Sequence, residues 1–91
     1  MKTFQTYLLT AGRKERLSSI EAKSLKEALT LVGNRFQENY PTAQVPDIEP
    51  VSNQAICGKV LFAGHTVVVE DTAAMAYEAA QIRHALQPKP S

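Results

Sequence analysis

The stretch Ser24-Leu25-Lys26-Glu27, with the apolar residues behind it, decides the fold. Ser24 and Glu27 match a capping box, in which the serine hydroxyl accepts a hydrogen bond from the third helical N–H. Pro41 disfavours helical geometry in the residue before it, so the helix is predicted to end near Asn39. Its buried face is predicted from apolar residues at helical spacing, namely Leu25, Ala28, Leu29, Val32 and Phe36.

Two predicted strands precede this helix. Residues 2–10 are rich in Thr, Phe, Tyr and Leu, which fit a half-buried sheet surface. Gly12 marks a turn, with two basic residues directly after it. Residues 16–22 alternate, with one face formed by Ser18, Ile20 and Ala22 and the other by Leu17, Ser19 and Glu21. The pattern predicts a β-hairpin with a basic tip.

The second half of the chain repeats the order of hairpin and helix. Prolines at 41, 46 and 50 indicate a connection with a short edge strand around Gln44–Val51. Residues 55–63 and 65–70 read as strands joined at Gly64. Asp71 and Thr72 are N-cap candidates for a second helix to about Gln87. Its alanines predict close approach to a sheet or helix, along a stripe of Met75, Ala79, Ile82 and Leu86.

The element order therefore predicts an α+β fold. We expect a mainly antiparallel sheet of four to five strands, with two helices on one face, in the order β-β-α-(β)-β-β-α. Residues 1–87 are predicted to form a single domain, and residues 88–91 a flexible tail.

The charge and residue composition argue against several classes of function. The net charge is +1, with seven basic against four acidic residues in positions 1–38 and three against five in positions 39–91. This balance supports neither a strongly basic nucleic-acid-coating protein nor an acidic mimic of nucleic acid. The single cysteine, Cys57, excludes an internal disulfide. No signal-peptide pattern or membrane-spanning run is present, so we expect a cytoplasmic protein without membrane contact.

Catalytic and metal-binding patterns are weak. Cys57, His65 and His84 are the only Cys and His residues and form no ligand pairs, so no metal site or cofactor is expected. Cys57 and His65 flank a predicted hairpin, where they could face each other as a nucleophile and its base. The apolar neighbours of Cys57 instead favour a buried structural thiol. We therefore expect no enzymatic activity, no catalytic residues and no small-molecule substrate.

A cluster of basic residues is the best candidate for partner binding. Three cations lie at the predicted hairpin tip, and two more at the helix start could extend the patch; they are Arg13, Lys14 and Arg16, then Lys23 and Lys26. Basic side chains on a projecting hairpin can contact phosphate oxygens or an acidic protein surface. No aromatic residue lies among them in sequence, which argues against base stacking.

The segment from Phe4 to Val32 resembles a known group of proteins. A strand, a basic turn and then the run Ser19-Ile20-Glu21-Ala22-Lys23-Ser24-Leu25-Lys26-Glu27-Ala28 is similar to the opening of small phage and mobile-element proteins. These include anti-CRISPR proteins that inhibit type I surveillance complexes. The resemblance implies a non-enzymatic inhibitor that occludes Cas subunits or guide RNA and so blocks binding of target DNA. No site residue carries over from it.

Four functional hypotheses follow. The first is an inhibitor or adaptor that occludes a protein or ribonucleoprotein surface, such as type I Cas subunits with guide RNA. The second is a small nucleic-acid-binding regulator, whose affinity would fall steeply with salt. The third is an enzyme using Cys57. The fourth is a structural homo-oligomer in which an exposed edge strand pairs with itself.

Overall fold

The computed structural model describes residues 1–86, which form one five-stranded antiparallel sheet and two helices. The elements along the chain are β1 (Lys2–Thr10), β2 (Arg13–Ala22), α1 (Leu25–Asn39), β3 (Asp47–Ile48), β4 (Cys57–Phe62), β5 (His65–Asp71) and α2 (Thr72–Leu86). The strand order in the sheet is β2-β1-β5-β4-β3. The predicted α+β class, antiparallel sheet and element order are confirmed.

Both long hairpins close through a two-residue Ala-Gly turn. Ala11 and Gly12 have φ values of 44° and 80°, and Ala63 and Gly64 have 50° and 80°. Positive φ at both central residues is the type I′ geometry, whose twist matches that of the flanking strands. Because the first turn is so short, β2 begins at Arg13, three residues before its predicted start. The basic residues therefore lie on the strand and not in a projecting tip.

Helix α1 covers one face of the sheet and forms the core with it. The hydroxyl of Ser24 accepts a hydrogen bond from the Glu27 N–H at 3.2 Å, which confirms the predicted cap and the start of the helix. Leu29 is fully buried and packs over the centre of the sheet. The strand residues beneath α1 alternate with uncovered ones and include Phe4, Ile20, Ala22, Val60, Val67 and Val69. The core therefore lies entirely between α1 and one sheet face.

A bulge between β1 and β2 changes which side chains face α1. The pairing register shifts between Gln5 and Tyr7. Thr6 anchors the bulge, because its hydroxyl accepts from the Ser18 N–H and donates to the Ser18 carbonyl. Strict alternation predicted Leu17 on the face opposite to Ser18. That prediction is wrong, since the extra residue places Leu17 in a groove on the α1 side.

Helix α2 does not pack on the sheet. It follows β5 without a loop and extends from the end of the sheet, where its main contacts within residues 1–86 are with the beginning of β1 and the end of β5. None of its residues is buried, so the prediction of two helices on one face is wrong. Asp71 caps α2 as predicted, accepting a hydrogen bond from the Ala74 N–H at 3.1 Å. The protruding helix makes the molecule long, at 63 × 31 × 21 Å.

The remaining predictions concern the edge strand, the end of the chain and membrane-spanning helices. The expected edge strand is present as the two residues of β3, which pair with β4. Gln87 and the predicted tail at 88–91 lie outside the described residues. Within residues 1–86, no helix has the length and apolarity needed to cross a bilayer.

Candidate partner-binding site on the uncovered sheet face

Within residues 1–86, no helix lies over the sheet face opposite α1, and we call it the uncovered face. The antiparallel register places alternate residues of each strand here. Its members are Gln5, Tyr7 and Leu9 of β1, Lys14, Arg16 and Ser19 of β2, Cys57, Lys59 and Leu61 of β4, and Thr66, Val68 and Glu70 of β5. Such a surface is mixed in character, with apolar side chains near its centre and charged ones around them.

One row of this face combines two cations with an aromatic ring. Tyr7 is paired with Arg16 on one side and with Val68 on the other, and Val68 is paired in turn with Lys59. The four residues thus form a line across four strands, with a cation at each end. Neighbouring strands lie about 4.8 Å apart, so the line spans roughly 14 Å. Arg16 and Lys59 are exposed and form no ion pair within residues 1–86.

Lys14 is held against the sheet by two contacts. Its Nζ lies 2.6 Å from Oε2 of Glu70 and 4.3 Å from the centre of the Tyr7 ring. The hydrogen bond to Glu70 is the main cause of a raised Lys14 pKa, and partial desolvation opposes it. Lys14 therefore stays protonated at neutral pH while Glu70 offsets much of its charge. The ammonium also lies over an aromatic face, the geometry of a cation–π contact.

Acidic residues are sparse around the row. Glu70 is engaged by Lys14, Asp47 lies on the outermost strand opposite Leu61, and Glu21 lies at the far end of β2. The region around Tyr7 consequently has a local excess of positive charge, although the whole chain is nearly neutral. Val68 is buried and the Tyr7 ring is half-buried, so the accessible part of the row is the edge of this ring between the cations. Cations beside an aromatic ring suit an anionic partner that also offers flat apolar groups.

The structure separates the five predicted binding residues into two groups. Lys14 and Arg16 lie together on the uncovered face, whereas Arg13, which pairs with Thr10 next to the turn, alternates to the opposite face of the sheet. Lys23 follows the opposite end of β2, about 30 Å from Lys14 at about 3.3 Å per residue, and Lys26 lies beyond it in the first turn of α1. The two lysines therefore do not extend the cluster as predicted, because the strand carries them away from it.

Two residues of the row were missed at the level of sequence. Tyr7 is distant from Arg16 in sequence but pairs with it across the hairpin, and its ring lies beneath Lys14. An aromatic side chain therefore does lie among the cations in the folded protein. A signal was present, because a two-residue turn at Ala11-Gly12 fixes the pairing of Tyr7 with Arg16. Lys59 has no such signal, since its position depends on β4 and β1 both pairing with β5.

The structure excludes the proposed pairing of Cys57 with His65. Cys57 is opposite Glu70 on the uncovered face, whereas His65 begins β5 and lines the groove on the α1 side. The two side chains are on opposite faces and about 17 Å apart along the strand at about 3.4 Å per residue. Cys57 is also exposed, so the prediction of a buried thiol is wrong. Its apolar neighbour Ile56 precedes the strand and does not enclose it.

An apolar groove lies on the other side of the molecule. It has a volume of about 440 Å³ and is open at the end of α1, where the sheet extends beyond the helix. Phe36 and Phe62 stack in its wall with ring centres 5.3 Å apart, and Tyr40 lies beside Phe62. The groove offers few polar groups for catalysis. In the described part of the chain, no three Cys, His, Asp or Glu side chains converge as a metal site would require.

Comparison with protein-family models, curated proteins and solved structures finds no match to this chain.

Proposed function

We propose that this protein is a non-enzymatic inhibitor or adaptor that binds and occludes a ribonucleoprotein surface through its uncovered sheet face. The observation that carries the proposal is the row Arg16, Tyr7, Val68 and Lys59, which places two unpaired cations on either side of an aromatic ring. The cations would contact RNA phosphates, and the part of the Tyr7 ring that Lys14 leaves accessible would pack on a base or on an apolar protein group.

The structure supports binding more than catalysis. The best nucleophile, Cys57, lies far from His65, and the carboxylate that faces Cys57 across the strands, that of Glu70, is engaged by Lys14. A nearly flat sheet face of this size is suited to contact with another macromolecule. The resemblance of Phe4–Val32 to anti-CRISPR proteins favours a Cas surveillance complex with guide RNA as the target, in the cytoplasm of a phage-infected host.

The test is a binding measurement with two double variants that each remove two positive charges. Arg16→Ala/Lys59→Ala changes both ends of the row, and Lys23→Ala/Lys26→Ala changes the remote group. We expect the first to weaken binding to a type I Cas ribonucleoprotein by tenfold or more, since two contacts are each worth about 1 kcal/mol or more. The second should bind like the wild type. Equal behaviour of the two variants, or no complex at all, would refute the proposal.

A small regulator of free nucleic acid is the second candidate, and the same row favours it. Its measurement is the salt dependence of binding to single-stranded RNA. Loss of two phosphate contacts should reduce the slope of log K against log salt by about 1.4, or 0.7 for each contact. Tight binding to free RNA, with no preference for the ribonucleoprotein, would favour a regulator of free nucleic acid over an inhibitor of a ribonucleoprotein.

A further inference from the structure

Helix α2 forms in this fold with little packing against the described part of its own chain. It has fifteen residues and no buried one, and Ile82 and Leu86 are 57% and 79% exposed. Isolated helices of this length are marginal in water, and helices in proteins gain most of their stability by packing an apolar face. Such a face is present on α2, but the described part of the chain leaves it largely uncovered.

Most of the apolar stripe points away from the rest of the molecule, since Ala79, Ile82 and Leu86 are exposed and only Met75, near the start of the helix, is half-buried. The side of α2 nearest to the sheet is centred on Ala73, Ala74 and Tyr77, with Ala76 and Glu78 at its margins, and these residues line a shallow depression with the first residues of β1. At about 100° per residue, the stripe of Met75, Ala79, Ile82 and Leu86 lies on roughly the opposite side of the helix. A partner approaching the stripe would therefore not collide with this end of β1.

The spacing of the stripe is that of a two-stranded coiled coil. Steps of four, three and four residues place Met75 and Ile82 at d positions and Ala79 and Leu86 at a positions. The Asp, Glu, Lys and Arg residues of α2 number only two, Glu78 and Arg83. Glu78 then occupies g and Arg83 the following e, five residues later. In parallel coiled coils, g and the following e of the partner helix form interhelical ion pairs.

We propose that α2 pairs in parallel with α2 of a second copy of this chain. Glu78 of each copy would lie beside Arg83 of the other, giving two equivalent ion pairs on either side of the apolar seam. An antiparallel pair would instead bring g beside g and e beside e, and with the four seam layers in register Glu78 would lie beside Ala85 and Arg83 beside Ala76, so that neither charge would gain an oppositely charged neighbour. The charges thus select the parallel arrangement, and they are self-complementary, which favours a second copy over an unrelated helix.

The pair is expected to be weak. Fifteen residues make a helix about 22 Å long, which limits the seam to four layers. The interface is smaller than the roughly 1,600 Å² of a standard stable complex, so we expect dissociation constants in the micromolar range or weaker. The dimer should therefore form with rising concentration and not persist at high dilution.

Sedimentation equilibrium of the full chain, from about 10 µM to about 1 mM, tests the pairing. Glu78→Arg and Arg83→Glu should each weaken association severalfold, because each places like charges beside one another. The double variant Glu78→Arg/Arg83→Glu should associate like the wild type, since both ion pairs return with reversed polarity. Glu78 and Arg83 are both exposed, so the monomer fold should be unaffected, which circular dichroism would verify.

Disulfide trapping tests the orientation. In a Cys57→Ser background, Ile82→Cys places a thiol in the seam, where a parallel pair brings it next to its own copy. Gln81→Cys, exposed on another side of α2, is the matched control. We expect rapid cross-linking of Ile82→Cys and slow cross-linking of Gln81→Cys. The inference is overturned by a monomer at every concentration, by single charge variants that associate normally, or by equal cross-linking of the two cysteine variants. It does not involve the uncovered face, so it stands or falls separately from the proposed function.

Discussion

The ammonium of Lys14 lies 2.6 Å from the carboxylate of Glu70, although 56 residues separate them in sequence. The contact passes over Tyr7 and links β2 to β5 across the intervening strand β1. One carboxylate thus restrains one of the cations on the proposed binding face. This arrangement has consequences for both stability and affinity.

Glu70→Gln should lower the free energy of unfolding at neutral pH by a small amount. The pair is partly exposed and therefore strongly screened, so we expect a loss of about 0.2–1 kcal/mol. The pKa of Lys14 is raised above its ordinary 10.5 in the folded state by the hydrogen bond to Glu70. A raised lysine pKa gives stability that is complete below the unfolded pKa and is lost as pH rises through the folded pKa.

The difference between wild type and Glu70→Gln should consequently persist from neutral to mildly alkaline pH and disappear at strongly alkaline pH. Denaturant unfolding at several pH values measures it. Glu21→Gln is the control, because Glu21 is exposed and has no ion pair among residues 1–86. A loss that is the same at every pH would show that Lys14 is not the partner.

The same substitution should strengthen binding to an anionic partner. Removing the carboxylate charge releases Lys14 to contact phosphate, which adds up to one effective cation to the face. We expect Glu70→Gln to bind single-stranded RNA or ribonucleoprotein severalfold more tightly, with a slope of log K against log salt that is steeper by up to about 0.7. Lys14→Ala/Glu70→Gln should lose this gain. Unchanged or weaker binding by Glu70→Gln would place the partner elsewhere.

Gly58 of β4 lies so close to α1 that a methyl group there should destabilise the fold. A Cβ at this position would be 2.8 Å from Cδ1 of Leu29 and 3.0 Å from Cγ1 of Val51. Gly58→Ala should cost about 1–3 kcal/mol by overpacking. Leu29→Val removes the Cδ atoms, so the cost of Gly58→Ala should be smaller in that background. At Gly64, where φ is +80°, an added Cβ would face open space. The change in unfolding free energy caused by Gly64→Ala should therefore be the same with and without Leu29→Val. Thermal unfolding of the variants measures these changes.

The N-cap at Asp71 should control the order of α2 more than that of the sheet. Asp71→Ala removes the acceptor for the Ala74 N–H and should cost about 0.5–2 kcal/mol. Because α2 has little other support, its amide hydrogens should exchange faster while those of α1 remain protected. Asp71→Asn keeps an equivalent cap and should preserve the slow exchange. If the amide hydrogens of α2 exchanged equally fast in Asp71→Ala and Asp71→Asn, the ion pair of Asp71 with Lys2 would contribute more to the order of α2 than the N-cap does.

Local signals predicted the elements well. The capping box at Ser24 and the proline at 41 gave the bounds of α1, because both act on the backbone of their immediate neighbours. The strands followed from β-branched and aromatic runs between turns. The position of Leu17 was missed because a bulge inserts one residue into the alternation, and nothing in the sequence of β2 alone reveals it.

Long-range placement was not predictable in the same way. The stripe on α2 shows that one side of the helix is apolar, but it does not identify what covers that side. Lys59 joins the proposed binding row only because β5 lies between β1 and β4. The candidate site therefore depends on strand order, whereas the sequence carries information mainly on individual elements.

The central position of β1 and β5 has a consequence for the order of folding. These two strands come from opposite ends of the described chain, and their pairing joins Phe4 to Asp71. Each hairpin can form early from local contacts. The pairing of β1 with β5 instead closes a loop of nearly the whole domain, and such long-range pairing is slow. During synthesis the first hairpin and α1 emerge before β5 exists, with the edge of β1 and the apolar side of α1 still unprotected. The nascent chain should be most prone to aggregation in that interval.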